Sequence, residues 1–283
     1  MLKVYIVAEV GCNHMGSLSR AKEMIKIAAD IGVDVVKFQK RENRLLLTPE
    51  EYSAPHPVPE NSYGLTYGAH REYLEFTADQ HKQLMNECNK YGVEYSCSVW
   101  DRHSAWEIKK LKPLHIKIPS ACNLIEDIYK ELKNFKGTLH VSLGMTTPEE
   151  VTKVLMYVLG DYRHILYACT SGYPIENKDV YIYDVYNLMS NYWYGSTSAI
   201  GYSGHHLGTD IDLVAIGMGA TWIERHFTLD REAKGTDHSA SLDPEGLKEL
   251  VDKVRAIEPA LIGKGDTMPE VERVQREKLK RGV

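Results

Sequence analysis

Ser17-Leu18-Ser19-Arg20-Ala21-Lys22-Glu23-Met24-Ile25-Lys26-Ile27-Ala28-Ala29-Asp30-Ile31-Gly32-Val33-Asp34-Val35-Val36-Lys37-Phe38-Gln39 contains one complete helix-to-strand unit. Met24, Ile25, Ala28 and Ala29 recur at helical spacing, Ser17 or Ser19 can cap the start, and Gly32 closes the end. A short β-branched run over 34–39 follows at once. Outward from this unit the alternation recurs along the chain. Strands are predicted at 3–9, 34–39, 93–97, 114–118, 138–142, 164–169, 197–201 and 221–226. Helices are predicted at 18–31, 79–91, 102–111, 124–133, 147–159, 179–191, 208–218 and 244–257. Thr147-Pro148-Glu149-Glu150 and Asp243-Pro244-Glu245 are start signals for two of these helices, with a capping oxygen, a proline in the first turn and acids at the positive end of the dipole. Alternating strands and helices imply a parallel sheet, and eight units over roughly 260 residues predict an α/β fold closed as a (β/α)8 TIM barrel. No glycine-rich dinucleotide fingerprint follows the first strand.

Residues 40–78 break the repeat. They carry four prolines, several tyrosines and few helix signals, and lie between the second strand and the second barrel helix. A connection this long predicts a functional segment, a lid or an oligomer arm, with a short helix near 70–75. The expected organisation is a barrel over 1–265 containing the 40–78 insertion, then a charged tail over 266–283 that forms a helix or frays.

The net charge of −5 and the lack of a basic stripe argue against a nucleic-acid binder. No apolar run approaches membrane-spanning length and no signal-peptide core precedes the first strand, so a cytoplasmic protein is expected. Five cysteines, an odd number without metal-ligand spacing, read as reduced thiols.

Two lysines interrupt apolar strands. Alternation puts Lys37 and Gln39 on one face, with Val36 and Phe38 on the other; Lys117 likewise opposes Ile116 and Ile118. A lysine on the inner face of a buried strand is costly unless an anion meets it, so two of them suggest a site for a doubly anionic substrate. Snorkelling surface lysines are the alternative. Active sites of such barrels lie at the C-terminal strand ends, and all eight ends here are polar. They offer Glu9 with Asn13 and His14; Lys37 and Gln39; Ser96 and Ser98; Lys117, Ser120 and Asn123; Ser142; Thr170, Ser171 and Tyr173; Ser203, His205 and His206; and Glu224 and His226, with Asp237 and His238 beyond. His205 and His226 on adjacent strand ends could share a divalent metal, and only one of His205 and His206 can face the site. Glu224 could orient a ligand or pair with a lysine in the barrel interior. Asn13 and His14 could equally shape a loop, and Cys97 and Cys122 read as packing residues.

Glu9-Val10-Gly11-Cys12-Asn13-His14-Met15-Gly16, Val36-Lys37-Phe38-Gln39, Ile116-Lys117-Ile118-Pro119-Ser120-Ala121-Cys122-Asn123, Ser142-Leu143-Gly144-Met145, Ile200-Gly201-Tyr202-Ser203-Gly204-His205 and Glu224-Arg225-His226-Phe227-Thr228 resemble, in this order, the sialic acid synthase family, including legionaminate, pseudaminate and spore-coat polysaccharide synthases. The resemblance covers residues 4–258. It implies condensation of phosphoenolpyruvate with an aldehyde sugar of the N-acylhexosamine type, giving a 2-keto-3-deoxy sugar acid and phosphate. It implies a divalent metal, Mn2+ with Mg2+ or Co2+ as substitutes, held by His205 and His226. Lys37, Lys117, Ser120, Ser142 and Ser203 match the phosphoenolpyruvate-binding positions, and Glu9, Gln39, Tyr173 and Asp237 match those around sugar and water. Asn123 and Ser171 complete the substrate-binding set, with Glu9, Asp237, His226 and Lys117 in catalytic roles.

Three departures bear on the acceptor. Cys122 stands where an acidic residue is common in the family, and Ser171 where an asparagine is. With Val283 read as the end, the usual C-terminal antifreeze-like domain is expected to be absent and a partner protein or the insertion to supply the missing wall. A homodimer is implied by resemblance. A phosphorylated or non-acylated acceptor is the alternative substrate, and an acceptor phosphate would want a cationic cluster such as Arg41, Arg44 and Arg71. A metal-dependent aldolase or a non-catalytic barrel subunit are the other readings.

Overall fold

The structure, a computed structural model, describes residues 3–159, 163–192 and 198–282. Eight parallel strands close into a barrel in sequence order: β1 (Tyr5–Gly11), β2 (Val35–Lys40), β3 (Glu94–Val99), β4 (His115–Ile118), β5 (Thr138–Ser142), β6 (Arg163–Cys169), β7 (Ser198–Gly204) and β8 (Trp222–His226). Residue 197, the expected start of the seventh strand, lies outside the described residues. The barrel helices are α1 (Leu18–Ile31), α5 (Ala78–Tyr91), α6 (Arg102–Lys110), α7 (Glu126–Leu132), α8 (Pro148–Val158), α9 (Tyr183–Tyr192), α10 (Asp210–Gly217) and α11 (Pro244–Ile257). The expected insertion contains α2 (Asn43–Leu46), α3 (Pro49–Ser53) and α4 (Tyr67–Leu74), and α12 (Glu270–Leu279) lies in the tail without a buried side chain.

Local chemistry sets the helix boundaries. Ser17 accepts a hydrogen bond from the Arg20 amide at the start of α1, and Gly32 takes a left-handed conformation (φ 100°) that returns its N–H to the Ala28 and Ala29 carbonyls. Between these caps α1 buries Ala21, Met24, Ile25 and Ala28. Burial of one such large apolar side chain contributes about 1.5–3 kcal/mol. The main core lies between the strands' outward faces and the helices, with Ile6, Val36, Phe38, Ile116 and Val141 on the strand side.

A second, smaller apolar group fills the lower barrel interior: Val7, Val35, Ile165, Tyr167 and Trp222. Gly201 is required there, because a Cβ at that position would lie 2.4 Å from the Tyr167 ring. Above this layer the inward positions turn polar. The register sets Glu9 beside Lys37 on β2 and beside His226 on β8, Ser98 beside Lys117, and Ser203 beside Glu224. Period-two alternation thus delivers inward polar residues from β1, β2, β3, β4 and β7, and two successive ones from β8, to adjoining levels.

Candidate functional site

The C-terminal mouth holds two adjoining cavities. The first, about 250 Å3, lies directly over the strand ends and takes its wall from Lys37, Lys117, Ser120, Ser142, His205 and His226 among others. The second, about 180 Å3, shares Gln39, Trp100, Tyr173 and His226 with the first. Its outer wall comes from the insertion and from the loop after β8, which meet where Tyr63 donates its hydroxyl to the Lys234 carbonyl at 2.5 Å. The Gly235 amide donates to Asn61 Oδ1 at 3.3 Å at the same seam.

The sequence reading sought an external anion for the two lysines. The barrel supplies partners of its own. Lys37 Nζ lies 2.5 Å from Glu9 Oε2 and 3.6 Å from Glu224 Oε1, and it donates to Ser98 Oγ at 2.8 Å. Lys117 Nζ donates to Glu224 Oε1 at 2.7 Å and sits 4.3 Å above the Tyr167 ring. Both lysines are buried, so neither snorkels to solvent. Burial disfavours the Lys37 ammonium, but Glu224 and Glu9 outweigh it and hold its pKa raised. For Lys117 burial wins over Glu224, Lys37 repels it as well, and its pKa is lowered. Glu224 is kept ionised: burial pushes its pKa up, and the two lysines drive it well below the usual carboxylate range. Glu224 therefore takes the lysine-pairing role, with its second oxygen, Oε2, buried and free of hydrogen bonds.

Lys117 has three donors and spends one on Glu224 among the described residues, which leaves charge and N–H capacity for a ligand. Hydroxyls converge beside it. Ser120 Oγ accepts from the Gly144 amide at 3.1 Å. A Cβ on Gly144 would lie 2.5 Å from Ser171 Oγ and 2.8 Å from Ser120 Oγ, so only glycine lets this backbone close on both serines. Ser203 Oγ donates to Glu224 Oε1 at 3.1 Å, and buried Ser142 lines the same cavity. A lysine with clustered hydroxyls is the donor set that phosphate and carboxylate groups need.

The two histidines face each other with ring centroids 5.4 Å apart, and Tyr173 packs on both, 4.1 Å from His205 and 5.6 Å from His226. His205 Nδ1 lies 2.9 Å from the Thr170 carbonyl. A carbonyl can only accept, so the proton is on Nδ1 and the Nε2 lone pair is free. Burial and the neighbouring His226 push the His205 pKa down to about 3, keeping the ring neutral. His226 Nδ1 is buried with no hydrogen-bond partner and lies 3.8 Å from Asp237 Oδ2. Among the described residues no group of three or more His, Cys, Asp or Glu side chains forms a metal cluster. The donor chemistry fits a divalent ion held by imidazole nitrogens from His205 and His226 with its other positions open. His206 turns the other way, into a buried group with Arg225 and Asp212.

The chain matches the NeuB family model over residues 24–266. It belongs to the NeuB family. The N-acetylneuraminate-9-phosphate synthase of Drosophila melanogaster is 37% identical over 249 residues, covering 87% of this chain and 66% of the relative. The N,N'-diacetyllegionaminic acid synthase of Legionella pneumophila is 34% identical over 275 residues, 94% of this chain and 75% of the relative. The N-acetylneuraminic acid synthetase structure from Leptospira borgpetersenii superposes with a TM-score of 0.84 at 25% identity, over 99% of this chain and 93% of that one. The NeuB chain described here therefore shares its barrel with synthases named for different sugar acids.

Of the residues expected from sequence, Glu9, Lys37, Gln39, Lys117, Ser120, Ser142, Ser171, Tyr173, Ser203, His205 and His226 all line the first cavity. Asp237 lines the second. Asn123 lies outside both linings; its amide donates to the Ser142 carbonyl at 2.9 Å and to Thr146 Oγ1 at 2.7 Å, bracing the β5 to α8 loop. Asn13 likewise ties Phe227 and Ser241 together, and His14 stacks on Phe76, so both shape loops. Arg44 is exposed against Tyr52, away from Arg41 and Arg71. Sequence reading reached Trp100 at the end of the third strand but gave it no role, although it walls both cavities, and missed Lys234, which lines the second cavity with Arg41 and Arg71. Trp100 directly follows β3, a position that marks it as a rim residue. Lys234 sits in a loop that carried no signal.

Proposed function

We propose that this chain condenses phosphoenolpyruvate with an aldose to give a 2-keto-3-deoxy sugar acid and inorganic phosphate. One observation carries the reading: a buried lysine with unused donors stands beside a serine cradle in a cavity that also abuts two neighbouring imidazoles. Lys117, Lys37, Ser120, Ser142, Ser171 and Ser203 would hold the phosphate and carboxylate of phosphoenolpyruvate. The acceptor would extend past Tyr173 and Gln39 into the second cavity. A divalent ion on His205 and His226, Mn2+ in our reading, would supply Lewis acidity at the aldehyde oxygen.

In the reaction, C3 of phosphoenolpyruvate bonds to the aldehyde carbon, water adds at C2, and the C2–O bond to phosphorus breaks with release of phosphate. Glu9 lines the phosphoenolpyruvate cavity and is positioned by Gln39 Nε2 at 2.7 Å, so we assign it to the proton of the attacking water. Asp237 lines the acceptor cavity and is assigned to the proton of the new hydroxyl. Lys117 would stabilise the charge that moves onto phosphate as the C–O bond breaks. Five free thiols accord with a reducing compartment such as the cytoplasm. Among the described residues no helix is long and apolar enough to cross a membrane.

The test is phosphate release from phosphoenolpyruvate with Mn2+ and a panel of free and 6-phosphorylated mannose and N-acetylmannosamine, with mass analysis of the product. Sugar-dependent release, lost on chelation and accompanied by a product of summed mass, is expected. Phosphate release without any sugar, or failure to bind phosphoenolpyruvate, would reject the condensation.

A further inference from the structure

The register of β7 with β8 ends at Gly204 and Arg225, and the next residue on each strand is one of the facing histidines, His205 and His226. Beyond that pair a side chain continues the link. Arg225 points to the outward side of the barrel, opposite to Glu224 and His226, and grips the stretch that follows β7 at three points. Its Nη2 donates to the His206 carbonyl at 2.5 Å. Its Nη1 donates to the Gly208 carbonyl at 2.8 Å and to Asp212 Oδ2, in the first turn of α10, at 2.5 Å. The His206 ring closes the group, with Nε2 3.1 Å from Arg225 Nη1 and Nδ1 3.1 Å from the Tyr202 hydroxyl. Arg225, Asp212, His206 and Tyr202 are all buried.

Stability is a poor account of this group. Taking a guanidinium and a carboxylate out of water costs free energy that apolar side chains of equal volume would avoid. The pair is not saturated either, because Arg225 Nε and Asp212 Oδ1 are buried without hydrogen-bond partners among the described residues. What a planar, rigid fork supplies is geometry. Arg225 and His226 are consecutive, and so are His205 and His206. Fixing Arg225 against the His206 carbonyl therefore fixes the two backbones that carry the facing imidazoles. Other hydrogen bonds of these histidines run elsewhere: His205 to the Thr170 carbonyl and the Ile175 amide in the loop after β6, and His226 to the Leu242 amide beyond β8. We propose that Arg225, held by Asp212 and His206, is a positioning residue that sets the separation of His205 and His226 and thereby their affinity for a divalent ion. The assignment rests on the reading of these two histidines as the metal site, and adds the element outside the cavity that tunes it.

The test measures Mn2+ binding to the full chain from the loss of the free-ion electron paramagnetic resonance signal, and phosphoenolpyruvate binding by calorimetry without metal. Arg225→Lys keeps the charge but not the fork, and Asp212→Asn keeps the shape but removes the ion pair. Arg225→Lys should weaken Mn2+ binding by about 10- to 100-fold and Asp212→Asn by about tenfold, the effect expected when a partner that orients a metal ligand is changed. Phosphoenolpyruvate should bind both variants as it binds wild type, because the lysines and serines are untouched. Turnover lost at low Mn2+ should return as Mn2+ is raised. A parallel loss of both affinities would mean that the substitution loosens the mouth as a whole. Unchanged Mn2+ affinity in both variants, beside a loss in His226→Ala, would mean that Arg225 only packs. Either result overturns the assignment and leaves the metal site standing. Mn2+ binding that His226→Ala leaves unaltered would reject the metal site itself, and the assignment with it. If Arg225→Lys does not fold, Asp212→Asn, of nearly equal volume to wild type, decides by the same two measurements.

Discussion

Each mouth of the barrel holds a pair of facing histidines, and the two pairs are built for opposite ends. At the N-terminal mouth His115 and His140 lie 5.0 Å apart beside a cavity of about 360 Å3, larger than either cavity at the C-terminal mouth. Every ring nitrogen there is used. Glu94 Oε2 lies 2.6 Å from His115 Nε2, His115 Nδ1 lies 2.9 Å from His140 Nε2, and His140 Nδ1 lies 2.9 Å from the Tyr167 hydroxyl. The Glu94 carboxylate can only accept, so with both rings neutral one donor direction runs from Tyr167 through both rings to Glu94. Trp222 closes edge-on against both imidazoles. At the C-terminal mouth His205 and His226 keep nitrogens free of protein partners among the described residues. A saturated pair holds a fold together and an unsaturated pair awaits a ligand. Cavity size alone would have chosen the wrong end.

The sharpest way to break this contrast is to delete one histidine from each pair. His226→Ala should lower kcat/KM for the condensation by about 1,000-fold through loss of the metal's contribution, with little change in Tm. His140→Ala should leave turnover per folded molecule close to wild type and cost about 2–4 kcal/mol of stability in urea unfolding, from the broken chain and the space left behind. Reversed outcomes would exchange the roles of the two mouths.

Lys117 stands at the boundary between them, on the Tyr167 ring below and on Glu224 above. Lys117→Met should cost about 3–5 kcal/mol, since it leaves the Glu224 charge with the Ser203 hydroxyl and the longer contact to Lys37. Adding Glu224→Gln should recover much of that stability without restoring activity. Full stability in the single variant would mean that the buried ion group carries no strain.

The last contrast is in acid stability. Burial pushes the His81 and His14 pKa values down to about 3 and that of His140 well below its ordinary value. Unfolded histidine titrates near 6.5, so as pH falls below that value the unfolded state takes up protons that these folded sites refuse. Stability is therefore full above pH 6.5 and should decline by up to about 1.4 kcal/mol per pH unit for each such histidine, down toward pH 3. Unfolding free energies measured from pH 7 to 5 check this, and His81→Asn should flatten the slope.

Much of this was legible in the sequence because caps and periodicity are local. The boundaries of α1 and α11 follow directly from Ser17, Gly32 and Asp243-Pro244. Strand ends were read short: β1 continues to Gly11, β3 to Val99 and β7 to Gly204. The added residues, Val10-Gly11, Ser98-Val99 and Tyr202-Ser203-Gly204, include glycines and serines, which interrupt the β-branched run that marks a strand. α3 was missed although Thr48-Pro49-Glu50-Glu51 forms the same capping box as Thr147-Pro148-Glu149-Glu150 at α8. Five residues carry too little periodicity for the signal to stand out. The inward lysines and the histidine pair were legible from alternation. Glu224 as an interior lysine partner was one of two open readings; the pairing of Glu9 with Lys37, the His115 to Tyr167 chain and the place of Lys234 depend on contacts between distant segments, which no local pattern encodes.

β2 has a consequence of a different kind. Lys37 faces the first cavity, Gln39 the shared wall and Arg41, one residue past the strand, the second cavity. Successive residues on one side of a strand are about 6.6 Å apart, so this edge is graduated like a ruler. For an acceptor lying along it from the shared wall outward, the ruler would measure chain length: a hexose would reach the arginine, whereas a triose would fall short of it. Selection by length would then be written into the pitch of a single strand.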